Sequence, residues 1–230
     1  MSYHSLRKVA VFSCGQYETF THSLSLIFTK EDKEKEDMTW PAWAVIFAAH
    51  FGRENVITYL AEQIEGVLNE QVIMIGETMP LFAGAVIGAT LNGRVDMIEY
   101  LKTQVEDPLN NTVIIEGKVV KVGVVALAVA ANEGRKDMIE YFEKQVEDVL
   151  NQIMVHEGIT MTVAAAAAMD AICGRRENII QYLEQQVAGL WDQQVTRDDG
   201  TTQSVHQMAI EEAEDNQEMM ELLDKRAGSQ

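Results

Sequence analysis

Two cysteines, three prolines and no long apolar run set the first limits on this 230-residue chain. Cys14 and Cys173 stand in no metal-ligand spacing and are too few for a disulfide scaffold, so a reducing, cytoplasmic setting is expected, with both thiols as small buried residues. The most apolar stretch, Val163 to Ala171, contains Asp170 and is shorter than the roughly 18 to 20 residues that a membrane helix needs. The opening MSYHSLRKVAVF has no sustained apolar core of the secretory type. Basic residues are scarce too: 18 lysines and arginines face 36 acids, for a net charge of −18. That balance opposes nucleic acid and anionic membranes and makes a protein with a basic surface the natural partner. The five histidines, His4, His22, His50, His156 and His206, form no H-x-x-x-H or His–Cys pair. No glycine-rich phosphate loop occurs either, so neither a metal, a cofactor nor a catalytic constellation is expected.

What the chain has is a period of 41 residues. Tyr59, Tyr100, Tyr141 and Tyr182 repeat at that spacing, and Gln63, Gln104, Gln145 and Gln186 follow four places on. A repeat of this length is one supersecondary unit whose apolar face is covered by its neighbour. Ala44, Ala85, Ala126 and Ala167, with Ala48, Ala89, Ala130 and Ala171, put an alanine pair on one face of a first helix, where two helices can approach closely. Gly52, Gly93 and Gly134 end that helix, each followed by arginine, while the fourth unit shifts to Gly174-Arg175-Arg176. Asn55, Asp96, Asp137 and Asn178 are N-cap residue types ahead of a second helix. That helix carries Ile57, Leu60, Ile64 and Leu68 at i, i+3, i+7 and i+11, a single buried stripe repeated in the later units.

This spacing predicts helix pairs at about 42–51 and 55–68, 82–92 and 96–109, 124–133 and 137–150, and 164–173 and 178–191. β-branched residues around Glu116-Gly117, Glu157-Gly158 and Asp199-Gly200 predict a hairpin after each pair, with Gly76 in the same column. The expected fold class is mainly α: an α-solenoid of about four helix-pair repeats with hairpins. Residues 1–38 are expected to form an N-terminal cap, a helix pair over 4–29 split at Cys14-Gly15 and then the charged run 30–37. Residues 39–203 form the repeats and 204–230 a C-terminal cap, in which Ala209 and Ala213 repeat the alanine pair out of phase and Met219, Met220, Leu222 and Leu223 make a short acidic last helix.

Thr78-Met-Pro-Leu81 and the run Ala-Asn-Glu-Gly-Arg-Lys-Asp-Met-Ile-Glu-Tyr-Phe142 resemble the ankyrin repeat, over about residues 39 to 224. The repeats here are longer than the ankyrin unit of about 33 residues, and Phe82 stands where that motif has histidine. The resemblance implies a protein-binding array that works through hairpin tips and inner helices and carries no chemistry of its own.

The Tyr and Gln columns are expected to be packing positions, with buried rings and bonded amides, because identity at a fixed period is what stacking demands. Function is expected where columns fail to repeat. In the first helix these are Trp43, Gly84, Val125 and Ala166; Phe47, Gly88, Val129 and Asp170; and His50, Leu91, Asn132 and Cys173, all on one face. The candidate partner-binding residues are Trp40, Trp43, Phe47, His50, Phe82, Leu91, Asn132 and Asp170; Trp43, Phe47 and His50, with Trp40 and Phe51 nearby, concentrate aromatics at one end. Sealing the array against the N-terminal cap is the competing role for that group. The leading expectation is a non-enzymatic adaptor, scaffold or inhibitor, in the host cytosol if the chain is a secreted bacterial effector. The alternative is an enzyme-associated module contributing to a catalytic complex or small active site, for which Asp170, Cys173 and His50 are the available polar residues.

Overall fold

A computed structural model describes residues 39–74, 77–115, 117–156 and 158–213, with 217, 220, 221 and 223 beyond them. The helix pair expected over 4–29, the charged run 30–37, the tip residues Gly76, Glu116 and Glu157, and Met219 and Leu222 lie outside the described residues. The chain divides into two compact units between Ile114 and Ile115. The first contains α1 (Trp40–Phe51), α2 (Glu54–Gln63), strands β1 (Gln71–Met74) and β2 (Glu77–Pro80), α3 (Leu81–Leu91) and α4 (Val95–Gln104). Strand β3 (Thr112–Ile115) straddles the division. The second unit runs β4 (Lys118–Lys121), α5 (Val122–Asn132), α6 (Lys136–Gln145), β5 (Ile153–His156), β6 (Ile159–Thr162), α7 (Val163–Cys173), α8 (Glu177–Gln186), β7 (Gln194–Arg197), β8 (Thr202–Ser204) and α9 (Val205–Glu212).

Each unit is built by laying first helices side by side: α1 against α3 in one, α5 against α7 and α7 against α9 in the other. Both alanine columns are buried in all four repeats, and Ala209 and Ala213 are buried in α9. Small residues let the backbones close up. Glycine at 84 and 88 brings α3 onto Ile46 of α1, where a Cβ on Gly88 would lie 3.1 Å from the Ile46 carbonyl oxygen. The first helices end in one motif. Gly52, Gly93 and Gly134 adopt φ of 67, 63 and 73°, and the amides of Arg53, Arg94 and Arg135 return to the carbonyls of Ala48, Ala89 and Ala130. In the fourth repeat the left-handed position falls on Arg175, at φ 56°, and Gly174 keeps a right-handed φ of −75°. Gly174 has a different reason to be glycine: a Cβ there would lie 2.3 Å from the Asn132 carbonyl oxygen.

Two expectations for the second helices are corrected. They start one residue before the Asx column, so Arg53, Arg94, Arg135 and Arg176 are the N-caps, with no side-chain cap bond, and Asn55, Asp96, Asp137 and Asn178 sit inside the first turn. They also end early, at Gln63, Gln104, Gln145 and Gln186. The next residue, Ile64, Val105, Val146 or Val187, is extended, and two residues later Gly66, Asp107, Asp148 and Gly189 take positive φ. The chain then makes a tight turn, 3₁₀ in three of the four repeats, that tucks Leu68, Leu109, Leu150 and Trp191 inward. The apolar stripe thus continues through a break in the helix.

The hairpins follow as expected, with Gly117, Gly158 and Gly200 supplying positive φ. β1 pairs β2 from Gln71–Pro80 to Met74–Glu77, and β5 pairs β6 in the same register. In the second unit the last two hairpins join through Ile159–Arg197 and Thr160–Thr196 into one antiparallel sheet, β5-β6-β7-β8. Ser204 and Gln207 form a capping box that starts α9. No helix among the described residues is long and apolar enough to cross a membrane.

Two stability measurements follow from this packing. Ala89→Leu and Ala130→Leu, each at a fully buried contact between helices, should each lower unfolding free energy by about 1 to 3 kcal/mol in denaturant titration. Arg175→Gly should raise it by about 1 kcal/mol, because the left-handed backbone then costs nothing.

Candidate functional site

The columns that vary in the first helix turn out to be a packing surface wherever a stacked neighbour is described. In the first unit His50 is buried and its Nδ1 lies 3.1 Å from the Gly88 carbonyl oxygen, with the ring edge-on to Phe51 at 4.8 Å. In the second unit Asn132 takes the same place, its side-chain amide donating to the Asp170 carbonyl at 3.4 Å. Histidine and asparagine differ in name and make one contact, from one first helix to the carbonyl of the next. Phe82 and Leu91 are buried in α3, and Val125 and Ala166 in α5 and α7. Asn132 and Asp170 are half-buried, and Cys173, expected to be buried, is exposed at the end of α7. Trp43 and Phe47 keep part of their surface, their rings tilted against each other at 5.8 Å. Of Trp40 the structure describes the backbone, at the start of α1. The face expected to bind a partner is therefore largely committed to packing between helices.

The arginine column does related work. Arg94 and Arg176 each reach the preceding repeat's glycine: a Cβ on Gly52 would overlap Arg94, and one on Gly134 would meet Arg176 at 2.8 Å. Arg176 Nε donates to the Asn132 carbonyl at 2.8 Å. In the first unit the equivalent carbonyl, of His50, is taken by the Asn92 side-chain amide at 3.0 Å, and Arg94 instead pairs with Asp96 at 2.8 Å while its buried Nε makes no hydrogen bond.

Two tyrosines of the column, Tyr100 and Tyr182, bridge second helices, and the column is less buried than expected. Tyr100 and Tyr141 are half-buried and Tyr182 is buried; Gln104 is exposed and bonded to the Thr103 hydroxyl at 3.0 Å. The Tyr100 hydroxyl meets Thr58 at 2.8 Å, and Tyr182 donates to the Glu143 carboxylate while Lys136 lies 4.7 Å from its ring centre. Burial, and then the bond to Glu143, raise the Tyr182 pKa well above its ordinary 10.0. The folded state holds this proton more tightly than the unfolded chain does. Its contribution is complete below about pH 10 and fades as pH climbs past that value. Tyr182→Phe should accordingly flatten the loss of stability between about pH 9 and about pH 11 in alkaline denaturation.

The surface that departs from the repeat pattern without a packing reason is on the hairpins. Val119 on β4 is 72% exposed and Ile153 on β5 is 66% exposed, and β4 and β5 are neighbouring strands. The positions matching Val119 in the other hairpins are Thr78, Thr160 and Thr202; those matching Ile153 are Gln71, Thr112 and Gln194, and all six are exposed. Lys118 and Lys121 flank Val119 and Val120 on β4. Ile114, in β3, is a further large apolar residue at 55% exposure. The signal for this surface was present in the sequence, as aliphatic residues where sister hairpins carry threonine or glutamine. Among the described residues no group of three or more His, Cys, Asp or Glu side chains is placed to hold a metal ion. No family model matches the chain, and no curated protein matches it.

Proposed function

We propose that the chain is a non-enzymatic, protein-binding repeat protein, an ankyrin-like solenoid of four 41-residue repeats acting as adaptor, scaffold or inhibitor, and that it binds through its hairpins. The observation that carries this reading is the pair Val119 and Ile153, apolar and exposed at positions where every sister hairpin is polar and exposed. Stacking does not require these two side chains, since threonine and glutamine serve the same backbone elsewhere. Exposed apolar groups set in a polar rim are the usual anchors of a protein interface. The net charge of −18 favours a partner with a basic surface, which it would steer toward the molecule at low salt.

The test uses the chain's own repeats as controls. Val119→Thr and Ile153→Gln install residues that the other hairpins already carry, so melting should change by less than about 0.5 kcal/mol. Affinity purification with mass spectrometry should identify a partner retained by the wild-type chain and lost by the double variant. Calorimetry should then put the loss at about tenfold or more per anchor, with association slowing as salt rises. A partner held equally by both forms would remove the hairpins from the interface.

A further inference from the structure

The exposed pair on the hairpins has a lysine beside it. In the hairpin of β5 and β6, Ile153 stands opposite Thr162, and Thr160 is two residues from Thr162, so the three side chains share a face. Val119 and Lys121 are the β4 counterparts of Thr160 and Thr162, one period of 41 residues earlier. β4 and β5 are neighbouring strands. Val119 and Ile153 are thus joined on one face by Lys121, half-buried, with Lys118, exposed, at the other end of β4.

The charge of these strands is opposite to that of the whole chain. Strands β4 to β8 contain no aspartate or glutamate, and among the described residues neither Lys118 nor Lys121 enters an ion pair. Acids of this unit gather instead on the second helices and the turns after them, five against two lysines over 136–148 and three with no base over 177–192. Glu116 and Glu157 belong to the tips, whereas Lys121 is the last residue of β4 and Ile153 the first of β5. The positions matching Lys121 in the other hairpins are Pro80, Thr162 and Ser204, so stacking does not call for a cation there.

We infer that this face takes a segment of another protein in which an aspartate or glutamate is flanked by apolar residues, the carboxylate on the lysines and the apolar side chains on Val119 and Ile153. The inference rests on the hairpin reading and adds the chemistry of the segment. Burying the apolar contact withdraws water from the lysine beside it, and a desolvated ammonium needs an opposite charge. A basic segment would set like charges face to face, and a purely apolar one would leave the cation unpaired. Lysine suits the place, because its methylene stem lies along an apolar contact while the ammonium reaches the rim. A basic surface elsewhere on the same partner finds its complement on the second helices. An anionic bilayer offers chemistry similar to the acidic segment, but a net charge of −18 opposes it.

The probe is a library of short random peptides, selected on the immobilised full-length chain and counter-selected on the Val119→Thr, Ile153→Gln double variant. Selected peptides should carry Asp or Glu next to Leu, Ile, Val or Phe. Their affinity, read by fluorescence anisotropy at about 0.15 M salt to screen long-range repulsion, should fall about tenfold or more when Lys118→Glu and Lys121→Glu are combined. Lys144→Glu, the same substitution on α6, should leave it unchanged. Basic peptides, an affinity unchanged or raised by the two reversals, or an equal loss with Lys144→Glu would overturn the acidic segment while leaving the hairpins as the interface. A selection that yields no peptide able to tell the wild type from the double variant would remove the hairpin reading, and this inference with it. Binding to phosphatidylserine vesicles that is lost in Val119→Thr would overturn it in favour of a bilayer.

Discussion

The close approach of neighbouring first helices is the constraint on which the other features rest. It requires a small residue at the closest points between helix backbones, at Gly84 and Gly88 against Ile46 and at Gly174 against Asn132. Helices that approach this closely bring the ends of their neighbours within hydrogen-bond reach. Asn92 and Arg176 can then satisfy the last carbonyls of the preceding first helix, groups that a helix end otherwise leaves to water. The hairpins that join successive repeats are carried into alignment by the same spacing, close enough in the second unit for β6 and β7 to pair.

Variation between repeats has two meanings here. His50 and Asn132 differ because two side chains can donate the same hydrogen bond. Asn92 and Gly174 differ because the carbonyl that one of them caps is capped by Arg176 beside the other. These are alternative solutions to one packing problem. Val119 and Ile153 differ from their counterparts with no such compensation: the backbone pairs as it does elsewhere and the side chains stand in solvent. That contrast is what supports the hairpins as the proposed interface.

The period, the alanine faces, the left-handed glycines and the hairpins were legible because each rests on a local requirement that leaves one residue type at one spacing. The ends of the second helices were not. Burial continues from Leu60 through Leu68, so the apolar stripe reads as one helix although the backbone breaks at Ile64. Gly66 and Gly189 marked the break, but Asp107 and Asp148 fill the same left-handed position in the middle repeats and disguised the column. The Asx column misled in a similar way, since residue types that cap a helix also suit its first turn. For the candidate site, difference in residue name does not mean freedom from packing. The fold alone reveals that histidine and asparagine make one contact, or that glycines in the varying columns are where one first helix meets the preceding one.

Gly174→Ala tests the close-approach account most directly, because two physical effects give opposite signs there. Its backbone, at φ −75°, suits alanine as well as glycine, and on conformational grounds alone the substitution should stabilise the protein by up to about 1 kcal/mol. Contact geometry sets the new methyl against the Asn132 carbonyl, where only a shift of α7 away from α5 can make room. Equilibrium denaturation of the full-length variant should therefore give a loss of about 1 to 3 kcal/mol. A gain in stability would mean that these helices do not approach as closely as the account requires.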